Sequence, residues 1–329
     1  RVLSDVVHSQ IASHAPFGGI VPEIAARDHM RAVLPVISAA LLEANVELAE
    51  LGGIAVTHRP GLVGALIVGL QAAKGLAWAA DLPLVGVDHL VGHLLSVFLH
   101  RGAEPRPAVT FPLVGLLVSG GHTALYECNG PAVAQITELG ATRDDAVGEA
   151  FDKIAKLLGL GYPGGPVIDR LARGGDADRC PLSITAPMSG SLEMSFSGVK
   201  SAIARHATST SAPTSDADVA DLCAAFQRVL VQTLVKKTLA AARQCGHRTI
   251  VVAGGVAANS ELRASMASAC ERRGYALHIP PLHSCTDNAA MIAYAGAVKL
   301  SAGDRDDHTL APSPRTSLPR ITRKGRGKR

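Results

Sequence analysis

Aromatic side chains are scarce in this chain: six Phe, four Tyr and one Trp make up 3% of 329 residues. That is too few for a module that reads single-stranded bases by stacking them on rings. Six cysteines (Cys128, Cys180, Cys223, Cys245, Cys270 and Cys285) are scattered with no CxxC pair and no disulfide-framework spacing. They read as thiols of a reducing compartment, so a cytoplasmic protein is expected. No apolar run reaches membrane-spanning length; the best candidate, Gly61 to Gly86, is interrupted by Gln71, Lys74 and Asp81. A P-loop is missing too, because GxxxxGK[ST] does not occur, and no clean Rossmann fingerprint is present. Acidic residues are absent from positions 315–329, which carry seven of the 32 basic groups. The rest of the chain therefore holds 25 basic against 28 acidic groups, a net of −3, and the overall +4 is a tail rather than a basic face.

What is present is a core-forming composition, 47% hydrophobic and 18% charged, at a length that suggests two domains. Short β-rich runs alternate with Ala/Leu-rich helical stretches, the pattern of an α/β protein. Helices are expected at 30–51, 64–80, 89–100, 143–158, 218–245, 259–273 and 288–300, with strands at 53–57, 82–87, 114–119 and 249–253. Leu125-Tyr126 extends the third strand as a hairpin, and the Pro-bearing segment 100–112 reads as a domain junction.

Two buried strands end in Gly-Gly turns, at LVSGGHT (117–123) and VVAGGVAANS (251–260), with PGGP (163–166) between them. Each could be only a tight turn, but together they suggest backbone amides offered to a phosphate. His89 and His93 are spaced i, i+4 in VDHLVGHLL, so both imidazoles leave one helix face. They are either two independent histidines or part of a metal site that needs a third ligand. Zinc-peptidase chemistry is disfavoured, since the general-base position of HExxH is Leu90. Asp287 stands at a helix start, as an N-cap or as that third ligand. In the helix after Asp144, Glu149–Lys153 and Asp152–Lys156 make i, i+4 pairs; Asp152 could equally reach a ribose, and Asn259 a base or ribose edge.

Nine collinear segments resemble the TsaD family of tRNA adenosine threonylcarbamoyltransferases. They are VLSDVVHSQ (2–10), GGIVPEIAARDH (18–29), PGLVGALIVG (60–69), VDHLVGHLLS (87–96), LVSGGHT (117–123), TRDDAVGEAFDKIAKLLGLGYPGGPVID (142–169), SFSGVKSA (195–202), AGGVAANSELR (253–263) and CTDNAAMIAYAG (285–296). The resemblance implies an α/β fold of the actin/Hsp70/sugar-kinase (ASKHA) type, two RNase H-like lobes around a nucleotide cleft. The lobes are expected at 1–105 plus 288–314 and at 106–287, with 315–329 a disordered tail. It also implies transfer of threonylcarbamoyl from threonylcarbamoyl-AMP to the exocyclic amine of the adenosine 3′ of the anticodon, in tRNAs reading ANN codons. By carry-over, His89, His93 and Asp287 hold one divalent ion, Fe2+ or Zn2+. Leu117, Val118, Ser119, Gly120 and Gly121 contact the adenylate, with Asp152, Gly165, Asp169 and Asn259 around its ribose and base. Acyl transfer from a mixed anhydride needs charge stabilisation more than a strong nucleophile, and metal and amides supply it; no general base is visible. An inactive paralogue, TsaB, and an ATPase, TsaE, are the partners expected in bacteria, with no membrane.

Two departures stand out. The family's opening strand and turn, reading like GIETSCDETAVA, has no counterpart before Arg1-Val2-Leu3, so the sequence reads as truncated or as one from which that segment was left out. The family's Gly-Pro-Gly appears as Arg59-Pro60-Gly61. The competing readings are a related carbamoyl-adenylate-dependent carbamoyltransferase, against which the length argues, and a non-catalytic scaffold, against which the two histidines argue. The basic tail reads as a solubilising end, the alternative being an arm for tRNA phosphates.

Overall fold

The computed structural model describes residues 1–102, 108–180, 182, 190–207 and 213–320. These fall into two compact units, one of residues 1–109, 130–136 and 280–318, the other of 110–129, 137–279 and 319 onward.

The first unit opens with the short α1 (Ile11–His14) and the long α2 (Pro22–Ala44). Helix α2 starts and stops earlier than apolar periodicity suggests. Pro22 fits the first helical turn, where its missing N–H is no loss, and Asn45 turns left-handed (φ 53°) to close the end. Strands β1 (Ile54–Arg59) and β2 (Leu84–Asp88) pair in parallel, Ile54 opposite Leu84, and α3 (Val63–Ala79) joins them. Ala73, Ala77 and Leu84 form the core beneath, with Ile54 and Val56 against it. Strand β2 runs directly into α4 (His89–Leu95), which tightens into a 3-10 turn at Ser96–Phe98 instead of continuing to residue 100.

The second unit is a five-stranded sheet with flanking helices. Its strands and first helices are β3 (Leu113–Val118), β4 (Thr123–Cys128), β5 (Ile136–Ala141), α5 (Val147–Leu157), α6 (Gly164–Ala172), α7 (Ser197–Ala207) and α8 (Asp216–Cys245). Then come β6 (Thr249–Ala253), α9 (Ser260–Glu271) and β7 (Ala276–His278), giving the sheet order β5-β4-β3-β6-β7. Strand β3 is central and buried at all six positions, hence its unbroken apolar run LVGLLV. It pairs antiparallel with β4 and parallel with β6. Helix α8 begins at a capping box between Ser215 and Asp218 and ends at Gly246 in a left-handed turn.

The chain returns to the first unit through α10 (Leu282–Cys285) and α11 (Ala289–Ser301). Helix α11 lies so close to β1 that a Cβ on Gly296 would meet the Ala55 Cβ at 2.2 Å, and one on Gly92 of α4 would meet Ile292 at 2.8 Å. Because this unit resumes at 280 rather than the expected 288, it includes Asp287. Within the expected disordered tail, residues 316–318 are ordered: Thr316 and Ser317 are fixed on Asp88, and Leu318 is buried. Arg320 reaches Glu138, at 3.5 Å. Positions 321–329, which carry the other basic groups of the tail, lie outside the described residues. Among those described, no helix is long and apolar enough to cross a membrane.

Candidate functional site

Within the first unit, His89, His93 and Asp287 come together, their ligand atoms all within 4.8 Å of one another. Asp88 caps α4 by accepting the Leu90 N–H at 3.0 Å, which starts the helix at His89 and puts His93 one turn on. The two rings meet edge to face with centroids 4.6 Å apart. Asp287 Oδ1 lies 3.0 Å from His93 Nε2 and 3.4 Å from His89 Nε2. The N-cap reading of Asp287 is excluded here, because Asn288 caps α11 by accepting the Met291 N–H at 2.9 Å. Asp287 is thereby left uncommitted, with 75% of its side-chain surface open, while His93 is fully enclosed. Burial pushes the His93 imidazole down, more than the Asp287 hydrogen bond raises it, which favours the neutral ring a metal requires. Burial pushes the Asp287 carboxyl up, but hydrogen bonds from the two histidines and their charge outweigh it and hold the carboxyl well below the usual range. Solvent at the open carboxylate screens that pairing. His93 Nδ1 is buried without a partner, so Asp287 is the only hydrogen-bond partner of the ring's nitrogens among the described residues. Two imidazoles and an exposed carboxylate converging this closely fit a divalent transition ion with open coordination positions. Leu90, where a metallopeptidase would carry its Glu, is 1% exposed core.

In the second unit the Gly-Gly turns divide into two kinds. Leu117 and Val118 are fully enclosed in the sheet, so their side chains reach no ligand and only their main chain could. Gly254 (φ 95°) is structural, since a Cβ there would sit 2.3 Å from the Val118 carbonyl oxygen. Gly120, Gly121 and Gly165 instead face open space, with nothing within 4 Å of a built Cβ. The turn after β3 is held by Ser119, whose N–H donates to the His122 carbonyl at 2.8 Å and whose Oγ accepts the His122 N–H at 3.1 Å. The Ser119 amide is therefore spent internally.

The remaining three residues do unequal jobs. Asp152 does not pair with Lys156; its Oδ1 accepts the Gly164 N–H at 2.8 Å, tying α5 to the start of α6. Burial pushes its carboxyl up, against that hydrogen bond, with Glu149 adding to the rise. Lys153 bridges Asp145 and Glu149 at 2.7 and 2.8 Å. Asp169 is occupied at both oxygens, by Ser260 (N–H 3.1 Å, hydroxyl 2.7 Å) and by Arg173 at 3.0 Å. Asn259 is the N-cap of α9, accepting the Leu262 N–H at 2.9 Å and donating to Gln227 at 2.7 Å. Asp169 and Asn259 thus hold the loop after β6 in place.

Sequence reasoning missed Asp144, which it placed inside a helix. It accepts the Phe196 and Ser197 amides at 2.7 and 3.2 Å and both Ser195 and Ser197 hydroxyls, fixing the SFSG segment at the head of α7. Burial raises its carboxyl, but these hydrogen bonds outweigh it and hold it below the usual range. The SFSG spacing with a carboxylate upstream was the available signal. Arg59, the departure from the family pattern, donates from Nε to His58 Nε2 at 3.0 Å.

Residues 1–294 match the TsaD family, described as tRNA N6-adenosine threonylcarbamoyltransferase. A protein of that name from Sorangium cellulosum is 65% identical over 334 aligned positions, covering all of this chain and 94% of that protein. Another from Anaeromyxobacter dehalogenans is 52% identical, covering 95% and 92%. Among solved structures, HypF from T. kodakarensis superposes with a TM-score of 0.61 at 15% identity, over 82% of this chain and 43% of that one. Full-length HypF in its phosphate- and nucleotide-bound form gives 0.58 at 12%, over 86% and 42%. These likenesses concern the two-lobe α/β fold, and the chain spans less than half the length of either protein. With identity this high along its whole length, the chain is a member of the tRNA N6-adenosine threonylcarbamoyltransferase family.

Proposed function

We propose that this chain transfers a threonylcarbamoyl group from threonylcarbamoyl-AMP to the exocyclic amine of the adenosine 3′ of the anticodon in tRNAs reading ANN codons. The observation that carries the reading is the union of His89, His93 and Asp287 in a chain of this family. In the first unit these three residues would hold one Fe2+ or Zn2+ ion, which when bound acts as a Lewis acid on phosphate or carbonyl oxygen. In the second unit, the Gly120 and Gly121 amides donate to the anionic end of the adenylate. Gly165, with no side chain in the way, admits the nucleotide to the first turn of α6, where free amides favour a phosphate or hydroxyl oxygen. Asp152 offers its second oxygen to a ribose hydroxyl while the first anchors Gly164. Ser119, Asp169 and Asn259 position these groups. AMP is a good leaving group, so no side-chain nucleophile is required.

A tRNA partner is supported by a furrow between α8 and α9 lined by Lys236, Arg243, Arg272 and Arg273, with no acidic residue among its lining. Protein partners of the TsaB and TsaE kind are supported by α2, where Met30, Leu34 and Leu42 stand exposed. Six cysteines, none of them in a disulfide, support a cytoplasmic setting. The test is direct: incubate the protein and those partners with threonylcarbamoyl-AMP and unmodified tRNA, then digest and analyse the nucleosides. Threonylcarbamoyladenosine is the expected product, and its absence in the complete mixture overturns the reading.

A further inference from the structure

A second convergence of ligand-type side chains lies wholly in the second unit, apart from every residue used above. Glu127 projects from β4, Cys245 is the last residue of α8, and His247 follows two residues later. Residues i and i+2 of a continuing helix point to different sides. Gly246 changes this: its left-handed turn (φ 74°) ends the helix, and the His247 N–H folds back onto the Ala242 carbonyl at 3.2 Å. The imidazole and thiol are thereby turned toward the same carboxylate. His247 Nε2 lies 2.9 Å from Glu127 Oε1, and the ligand atoms of all three residues are within 4.8 Å of one another.

We propose that Glu127, Cys245 and His247 form a metal site for a borderline-soft divalent ion of the Zn2+ class, which clips the end of α8 to β4. The donor set is one thiolate, one imidazole and one carboxylate, each a regular zinc ligand, with a water completing a tetrahedron. Bond lengths of about 2.0–2.3 Å would put ligand atoms roughly 3.3–3.8 Å apart, so the 2.9 Å His247–Glu127 contact would open slightly to admit the ion. His247 and Glu127 keep 14% and 26% of their side-chain surface, enough for an ion to enter. Without a cation, burial and the Glu127 charge push the Cys245 thiol up to about 11, so it stays protonated beside the carboxylate. Binding breaks the Sγ–H bond, forms the sulfur–metal bond and releases that proton to solvent. The imidazole proton moves from Nε2 to Nδ1, leaving the Nε2 lone pair for the ion. No electron changes hands.

The two metal centres are separable because only this one contains sulfur. The experiment is Co2+ titration of the full-length reduced protein, followed by near-ultraviolet absorption. A thiolate-to-cobalt charge-transfer band is expected, with the amplitude of one thiolate–cobalt bond per chain and bleached by Zn2+. Cys245→Ser should abolish it, and Glu127→Gln should weaken binding by roughly tenfold or more. Asp287→Ala should leave the band intact. Circular dichroism of each variant checks folding, and Zn2+ should raise the thermal midpoint of Asp287→Ala but not of the Cys245→Ser/Asp287→Ala double variant. Absence of the band in wild type, or its survival in Cys245→Ser, overturns the proposal; the Glu127–His247 hydrogen bond would then be the whole of the cluster.

Discussion

Asp287 and Asn288 divide two tasks that one residue could have performed: Asn288 caps α11, and Asp287 turns its carboxylate to His93 at 3.0 Å. Their variants should therefore separate. Asp287→Ala should lose most of the bound metal with little change in thermal midpoint of the metal-free protein. Asn288→Ala should keep the metal and lower stability by about 1 kcal/mol, the usual worth of an N-cap. Metal analysis in a Cys245→Ser background, where only this centre can hold an ion, and urea unfolding check both halves, and metal retained there by Asp287→Ala would refute the ligand set.

The glycines should separate in the same way. Gly254→Ala puts a Cβ 2.3 Å from the Val118 carbonyl in a left-handed backbone, and should destabilise the protein by well over about 1 kcal/mol. Gly120→Ala and Gly165→Ala project into open space and should fold normally, yet weaken binding of AMP or the adenylate severalfold. Calorimetric binding beside thermal melts distinguishes the classes.

Stability should fall as pH drops through the ordinary histidine range, with His58 contributing. Burial pushes its imidazole down, partly offset by a hydrogen bond to the Ala311 carbonyl, and the Arg59 charge lowers it further. The ring has Nδ1 against that carbonyl at 3.2 Å and Nε2 accepting from Arg59, so protonation at Nε2 would face a guanidinium. A histidine with a depressed folded-state pKa binds its proton more readily when unfolded. Its stabilising effect is thus present above about pH 6.5 and lost below it. Urea midpoints between pH 8 and 5.5 should decline less steeply in His58→Gln than in wild type; parallel curves would exclude His58.

Truncation should reveal the work of residues 315–320. A chain ending at 314 loses the Thr316 and Ser317 hydrogen bonds to Asp88, the buried Leu318 and the Arg320–Glu138 pair. It should melt several degrees below a chain ending at 320, as differential scanning of the two proteins would show.

How much of this was legible in the sequence follows from the kind of signal each element carries. Strands β3 and β6 are unbroken apolar runs ending in glycines, and α3 and α8 are long, so all four could be read. Helix α6 starts inside PGGP, where Pro and Gly spell a loop although Pro166 fits a first turn. Strand β7 has only three residues, and β5 reads ITELGA, too short and mixed to announce itself. The histidine pair was visible through its local spacing. Its partner Asp287, 194 residues away from His93, could be offered only as one of two roles, because whether Asn288 takes the cap is decided by folding. Asp169 came only from the family resemblance, and Asn259 also from its place just past Gly254-Gly255; neither signal shows which protein groups meet their polar atoms. In the fold those partners are Ser260, Arg173, Leu262 and Gln227.

Asp88 caps the helix that carries both histidines with one oxygen and grips Thr316 with the other, across 228 positions. On the ribosome, the histidines are made long before their carboxylate partner, 194 positions after His93, and before the segment that steadies Asp88. The nascent helix therefore forms without either, and the centre can close only after residue 287 has left the tunnel.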